Sequence, residues 1–308
     1  MKNMKAAGID IGTNTILMVI GRKLGDGSYE IIRDEHKIAR LGEGSHKTGS
    51  INEEAAGRAK TILKNYRRIL DDEGVIKIRA AGTAALRDAG NGPEILARLS
   101  DTIGCQIEII SGEQEAEFSF RGATEGNTGE RETKITQAIV IDIGGGSTEI
   151  IQGTDRKILY RVSLPIGSVR LTEKFFTNHP PAKTYEEQAR TEIRNFLLKE
   201  KQFQTGCPVY AVAGTATTFA SAALRQTTFN YAEVDGYLLR KEMLDEIINR
   251  FLVISVEQII NDYGIHPKRA DVITMGGIIL SEILSLLKTG QCIVSCKGLR
   301  YGLLYSID

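Results

Sequence analysis

Cysteine is scarce in this chain: 308 residues hold four, at Cys105, Cys207, Cys292 and Cys296. No two form a C-x-x-C pair. Cys292 and Cys296 stand four apart without an accompanying histidine or second cysteine pair, which argues against a structural zinc site and against a disulfide scaffold. Reduced core thiols fit a cytoplasmic location. Long apolar runs are also missing. Nothing reaches the ~18 consecutive apolar residues that a membrane span needs. The basic start, Met1 to Lys5, meets Asp10 too soon for a signal peptide. There is no excess of either charge, with 39 basic and 39 acidic residues, so nothing global points to nucleic acid or an anionic membrane. The four histidines, His36, His46, His179 and His266, are scattered in polar or proline-flanked surroundings, and none is assigned to chemistry. No Ser-His-Asp set and no G-x-x-x-x-G-K-[ST] loop occurs.

What is present is a recurring turn. Ala138 to Ile141 is an apolar run that ends in Asp142-Ile-Gly-Gly-Gly-Ser-Thr-Glu149. The run reads as a buried strand and the glycines as a turn whose N–H groups can approach a ligand closely. A carboxylate, a cradle of donors and two hydroxyls at one strand end suit a metal-bound phosphate, with Asp142 holding a hard cation directly or through water. The alternative is a glycine-rich hairpin with a solvated acid. The same pattern stands near the start, in Asp10-Ile-Gly-Thr-Asn-Thr15. Asp10 matches Asp142, Gly12 matches Gly144, Thr15 matches Ser147 and Gly21 matches Gly153, all at one offset. Arg40-Leu-Gly42 then echoes Pro165-Ile-Gly167 with a shorter spacing. Each half reads as hairpin strands around a small polar turn, a third strand, then helix. Two such turns in phase imply duplicated domains with a phosphate held in an interdomain cleft.

Between the turns, Asn52 caps a helix over Ile51 to Glu73, with Glu53 and Glu54 in its first turn. Val75 to Ala81 reads as a strand running into Gly82-Thr-Ala-Ala-Leu-Arg87. Arg87 is either a phosphate fork or half of a salt bridge with Asp88 or another acid, and the residues themselves favour the salt bridge. Gln106 to Ile110 is a strand. Ser111-Gly-Glu-Gln114 has capping-box spacing, which puts Glu113, Glu115 and Glu117 in the first turns of the next helix. One of the three could orient a water, and periodicity does not choose between them. Gly122 to Thr136 reads as the linker between halves. Tyr185 to Gln202, Leu238 to Tyr263 and Ile278 to Lys288 read as helices. Val209 to Thr218 and Ala270 to Gly277 each read as a strand running into a glycine turn before a helix, the ligand-facing end of an α/β sheet. Gly276-Gly277 serves close packing equally well. Ile293 to Leu304 reads as strand, glycine turn and short helix.

With these segments placed, the chain resembles the exopolyphosphatase / guanosine pentaphosphate phosphohydrolase family of the actin, sugar kinase and chaperone ATPase superfamily. The resemblance covers essentially the whole length. It rests on the two aspartate turns, Gly82 to Arg87, Ile110 to Ala116, Gly167 to Glu173, Gly214-Thr-Ala-Thr-Thr218 and Gly298-Leu-Arg-Tyr-Gly302. It implies an α/β fold of two duplicated ribonuclease-H-like domains, taken as 1–125 and 126–308, with the last helix, about 298–308, packed back on the first. It implies magnesium-assisted release of terminal phosphate from inorganic polyphosphate, or of the 5′-phosphate of guanosine pentaphosphate, and suggests a homodimer. Carried over residue by residue, it singles out Glu115 as general base and Arg87 as a phosphate ligand. Asp142 and Glu149 become metal ligands. The phosphate-binding set becomes Asp10, Gly12, Thr13, Asn14, Thr15, Gly144, Gly145, Gly146, Ser147, Gly214 and Thr215. Two positions depart from the family pattern: Asp235 stands where histidine is usual, and Cys296 where aspartate follows the serine of the last strand. The chain also looks like a short form without a helical extension. A superfamily phosphotransferase, an actin-like structural ATPase and a non-catalytic alarmone or polyphosphate sensor are the alternative readings.

Overall fold

The computed structural model describes residues 4–125, 137–154, 157–200 and 203–307, apart from the side chains of 46 and 47. The chain divides into two compact units, residues 1–122 with 298–308, and residues 123–297. Most of the expected linker, 126–136, lies outside the described residues.

The first unit opens with β1 (Lys5–Ile11), β2 (Thr15–Lys23) and β3 (Tyr29–Ile38), a meander whose first turn is the Asp10 motif. Next come α1 (Ser45–Thr48), α2 (Glu53–Asp72), β4 (Lys77–Gly82), α3 (Ala84–Asp88), α4 (Gly92–Ile103), β5 (Ile107–Ile109) and α5 (Gly112–Glu125). The sheet order is β3-β2-β1-β4-β5, with β1 parallel to β4 and β4 parallel to β5. Asn52 caps α2 as expected, accepting from the Ala55 N–H. The α5 capping box forms reciprocally: Gln114 N–H donates to Ser111 Oγ, and Ser111 N–H donates to Gln114 Oε1. Helix α4 has no counterpart in the sequence reading, although Pro93 in its first turn and Gly104 just past its end are start and stop signals.

The second unit repeats the plan. β6 (Ala138–Ile143), β7 (Thr148–Gly153) and β8 (Ile158–Leu164) form the meander. α6 (Ser168–Phe175), α7 (Lys183–Leu197), β9 (Val209–Val212), α8 (Ala213–Ala223), α9 (Tyr231–Val234), β10 (Leu238–Arg240), α10 (Lys241–Phe251), α11 (Val256–Tyr263), α12 (Pro267–Ala270), α13 (Ile273–Leu286) and β11 (Gln291–Val294) follow. The sheet order is β10-β11-β9-β6-β7-β8. Leaving out β10, this is the order of the first sheet with the same parallel and antiparallel senses. Register repeats as well: Asp10 opposes Leu17 as Asp142 opposes Glu149. The fold is therefore two duplicated α/β units of the kind that the resemblance implied.

Two expectations fail. Leu238 to Tyr263 is not one helix but β10, α10 and α11. Helix α10 ends near Phe251, and Ser255 starts α11 through a capping box with Gln258. That box ends the periodic run locally, since it satisfies the new helix's first N–H groups. Likewise Ala270 to Gly277 is not a strand and turn. It spans the end of α12 and the start of α13, with both glycines inside the helix. A Cβ at Gly276 would stand 2.8 Å from Thr215 Oγ1, and one at Gly277 would stand 2.3 Å from the Phe219 ring. Close packing of α13 on α8 explains both glycines. Helix α13 is buried over nearly its whole length, and its one buried acid, Glu282, is matched by Arg190 and Arg194 of α7 at 3.0 and 2.7 Å.

The final helix, α14 (Leu299–Tyr305), belongs to the first unit and packs on β1, β2 and β4. A Cβ at Gly8 would stand 2.1 Å from the Arg300 carbonyl oxygen, and one at Gly302 would stand 1.9 Å from that of Phe118. These glycines let strand, α5 and α14 approach at backbone distance. One sheet face thus carries α2 and α4 over Ile9, Ile11, Ile16 and Met18, while the other carries α5 and α14. No helix of the described residues is long and apolar enough to cross a membrane.

Candidate active site

Each aspartate turn is built so that its carbonyls are used internally and its N–H groups face out. In the first unit Gly12 N–H donates to Thr15 O at 2.9 Å. The Thr13 carbonyl accepts from Gly42 N–H, and the Asn14 carbonyl from Ala39 and Arg40 N–H. In the second unit Gly144 N–H donates to Ser147 O at 2.9 Å, and the Gly144 and Gly145 carbonyls accept from Ser168, Val169 and Arg170. Among the described residues, the N–H groups of Thr13, Asn14, Gly145 and Gly146 have no backbone acceptor, and all four residues are exposed. Outward N–H groups with satisfied carbonyls make an anion cradle. The glycine that follows each third strand seals the back of its turn. A Cβ would meet the Thr13 side chain at 2.3 Å from Gly42, and the Gly145 carbonyl oxygen at 2.3 Å from Gly167.

Asp10 sits at the end of β1, and its Oδ1 is buried with no hydrogen-bond partner. Burial first, and then the nearby Glu115 carboxylate, push its pKa up to about 7; Arg300 pulls the other way. Glu115 lies in the first turn of α5, half-buried. Arg87, at the end of α3, donates from Nη1 to Glu115 Oε2 at 3.3 Å and to the Ile110 carbonyl at 3.1 Å, and from Nε to Asp88 Oδ1 at 3.2 Å. Both sequence readings of Arg87 thus have a basis. It is salt-bridged, yet among the described residues its Nη2 has no partner. The three elements β1, α3 and α5 bring together Asp10, Arg87 and Glu115.

In the second unit, Asp142 and Glu149 are directly opposed on β6 and β7, and Ser163 of β8 continues the row. Glu149 Oε1 accepts from both Ser147 Oγ and Ser163 Oγ at 2.7 Å. The Ser147 hydroxyl proton is thus spent on the acid. The first unit has Leu17 at the matching place, so only the second turn carries a facing acid pair. Among the described residues no cluster of three or more acidic, histidine or cysteine side chains could hold a metal. Two opposed carboxylates suit magnesium, which binds through one or two protein carboxylates and completes its shell with water and substrate phosphate. They do not suit zinc.

Gly214 and Thr215 lie at the start of α8, beside the end of β6, where Thr215 Oγ1 approaches the Ile143 carbonyl at 3.5 Å. Ala213 just before them has φ 63°, a strained conformation for a residue with a side chain. A Cβ at Gly214 would stand 2.2 Å from Arg269 Nη1. The sequence reading missed Arg269. Among the described residues its guanidinium has no ionic or hydrogen-bonded partner, and burial holds its pKa below the ordinary arginine value. No local signal marks it, because it reaches the site from α12, more than fifty positions along the chain. The departures at 235 and 296 are reconciled locally. Asp235 accepts from the Cys296 N–H at 2.9 Å and pairs with Lys297 at 3.0 Å.

Residues 19–308 match the model of the Ppx/GppA phosphatase family. Exopolyphosphatase 2 of Mycobacterium tuberculosis is 33% identical over 290 residues, covering 91% of this chain and 89% of that protein. The bifunctional 3-dehydroquinate synthase/phosphatase of Fusobacterium nucleatum is 34% identical over 95% of this chain, which spans 45% of that longer protein. The crystal structure of the Aquifex aeolicus Ppx/GppA family member superposes with a TM-score of 0.87 at 30% identity, covering 98% of this chain and 97% of that one. The duplicated fold, the paired turns and these matches agree: the chain belongs to the Ppx/GppA phosphatase family.

Proposed function

We propose that this phosphatase releases terminal orthophosphate from inorganic polyphosphate, and that guanosine pentaphosphate is a second substrate of the same chemistry. The observation that carries the reading is the contact between Glu115 and Arg87 at 3.3 Å. A carboxylate able to work on water stands beside a guanidinium with a donor left for phosphate. Hydrolysis of a phosphoanhydride asks little covalent chemistry of a protein. It needs an oriented water, a base, and neutralisation of charge on the oxygens.

In the first unit, Glu115 accepts the water proton and Arg87 holds a phosphate oxygen, while the Thr13 and Asn14 N–H groups hold others. The second unit has a phosphate-binding set of its own: the Gly145 and Gly146 N–H groups, Gly214 and Thr215 at the start of α8, and the unneutralised cation of Arg269. Asp142 and Glu149 would hold magnesium, which when bound neutralises phosphate charge. The name of the M. tuberculosis relative supports polyphosphate as the substrate.

Phosphate release from short polyphosphate, long polyphosphate and guanosine pentaphosphate, measured side by side with magnesium and with a chelator, tests the proposal. Release from polyphosphate that stops on chelation is expected. Absence of release from any of the three, or transfer only from ATP to an acceptor, overturns it. Glu115→Gln is expected to lower turnover about a hundredfold or more while equilibrium binding of polyphosphate survives. Near-normal release by that variant removes Glu115 from the role.

A further inference from the structure

Asp142, Glu149 and Ser163 form one row across β6, β7 and β8, so their side chains share a face of the sheet. Within that row Glu149 is held in one particular way. Its Oε1 accepts from Ser147 Oγ and from Ser163 Oγ, each at 2.7 Å. A carboxylate oxygen offers about two lone-pair sites, so Oε1 is filled. Among the described residues, Oε2 has no hydrogen bond and no ion pair. Hydroxyl bonds to a carboxylate are charge-assisted, and two of them from different strands fix the plane of the acid. The first unit gives an internal comparison. Its matching row is Asp10, Leu17 and His36. Where the acid is replaced by leucine, the hydroxyl of the third strand is replaced too.

We propose that Ser163, together with Ser147, makes Glu149 a one-oxygen ligand and so selects a small divalent cation over calcium at the Asp142–Glu149 pair. The proposal rests on the reading of that pair as the magnesium site. Magnesium is held through one or two carboxylates and keeps several waters, whereas calcium takes six to eight oxygens and often both oxygens of one carboxylate. A carboxylate with Oε1 filled by hydroxyl protons offers only Oε2, which suits the first ion and denies the second its two-oxygen grip. Ser163 acts through Glu149, as a positioning residue, and hydroxyl partners of this kind orient the ligands they touch.

The test uses the full chain without substrate. Manganese binding is followed by the EPR signal of the free ion, with magnesium and calcium as competitors, and Glu149→Gln identifies the signal that belongs to this site. The wild type is expected to prefer magnesium. Ser163→Ala frees Oε1 and is expected to lower the magnesium-to-calcium preference about tenfold, with an unchanged thermal unfolding midpoint, since Ser163 is exposed on the edge strand β8. Ser163→Thr keeps the hydroxyl and is expected to keep the preference. If Ser163→Ala does not fold, Ser147→Ala, which removes the other donor, is read instead. An unchanged preference in the folded alanine variant, an equal loss in Ser163→Thr, or a wild type that prefers calcium overturns the proposal while leaving a metal at the site. Manganese binding that Glu149→Gln does not alter overturns the magnesium reading itself, and the proposal with it.

Discussion

Asp10 shows how much one carboxylate can carry. Its unpartnered, buried Oδ1 and its neighbour Glu115 raise its pKa to about 7, from an ordinary aspartate value in the unfolded chain. Between those two values the folded state binds the extra proton, so stability falls as pH rises through the folded pKa. Asp10→Asn is therefore expected to be more stable than the wild type at pH 8, by about 4 kcal/mol, and little more stable at pH 4. Urea unfolding at the two pH values checks this, and an equal effect at both would mean that the carboxylate's charge is not the cause. Asp10, Gly12 and their partners at 142 and 144 were legible in the sequence because a turn is local. Arg269 and the two-bond Arg300–Asp34 pair were not, although Arg300 lies in a motif the sequence displays. Their significance depends on which strand or helix end they reach, and that distance along the chain is 55 residues from Gly214 to Arg269 and 266 from Asp34 to Arg300.

At the scale of elements, two glycines separate backbone from side-chain consequences. A Cβ at Gly167, just before α6, would stand 2.3–2.4 Å from backbone atoms of Gly145 and Gly146. Backbone cannot yield as a side chain can, so Gly167→Ala is expected to cost about 1–3 kcal/mol and to distort the second cradle. At Gly214 the obstacle is the end of the Arg269 side chain. Gly214→Ala is expected to displace that guanidinium, lowering phosphate release with little change in the unfolding midpoint. Thermal unfolding and turnover of both variants, measured together, distinguish the two. Equal stability loss in both would mean that Arg269 is as rigidly held as the turn. The helices that were misread share one cause. In Leu238 to Tyr263 the helical period was real, but a capping box at Ser255 starts a new helix; in Ala270 to Gly277 the glycines that suggested a turn lie inside α13, where they allow its close packing on α8.

For the whole molecule, the first unit is discontinuous: residues 298–308 complete a sheet face begun by residues 5–11. Leu299 and Leu303 bury against Ala81, Ile110 and Phe118. A chain that stops at Lys297 exposes that apolar face. Its first unit is expected to be digested in limited proteolysis under conditions where the full chain resists, and survival of residues 5–122 would show that α14 is dispensable for folding. The sequence by itself determined the duplicated plan, the two aspartate turns, the caps of α2 and α5 and the family, because each depends on short spacings or on motif order. It left Glu113, Glu115 and Glu117 equivalent until the resemblance was invoked. Tertiary structure alone put Glu115 against Arg87, gave only the second turn a facing acid pair, and locked Arg300 onto Asp34. Such choices follow from strand register and from backbone-distance packing at Gly8, Gly167 and Gly302, which arise only when distant segments close on one another.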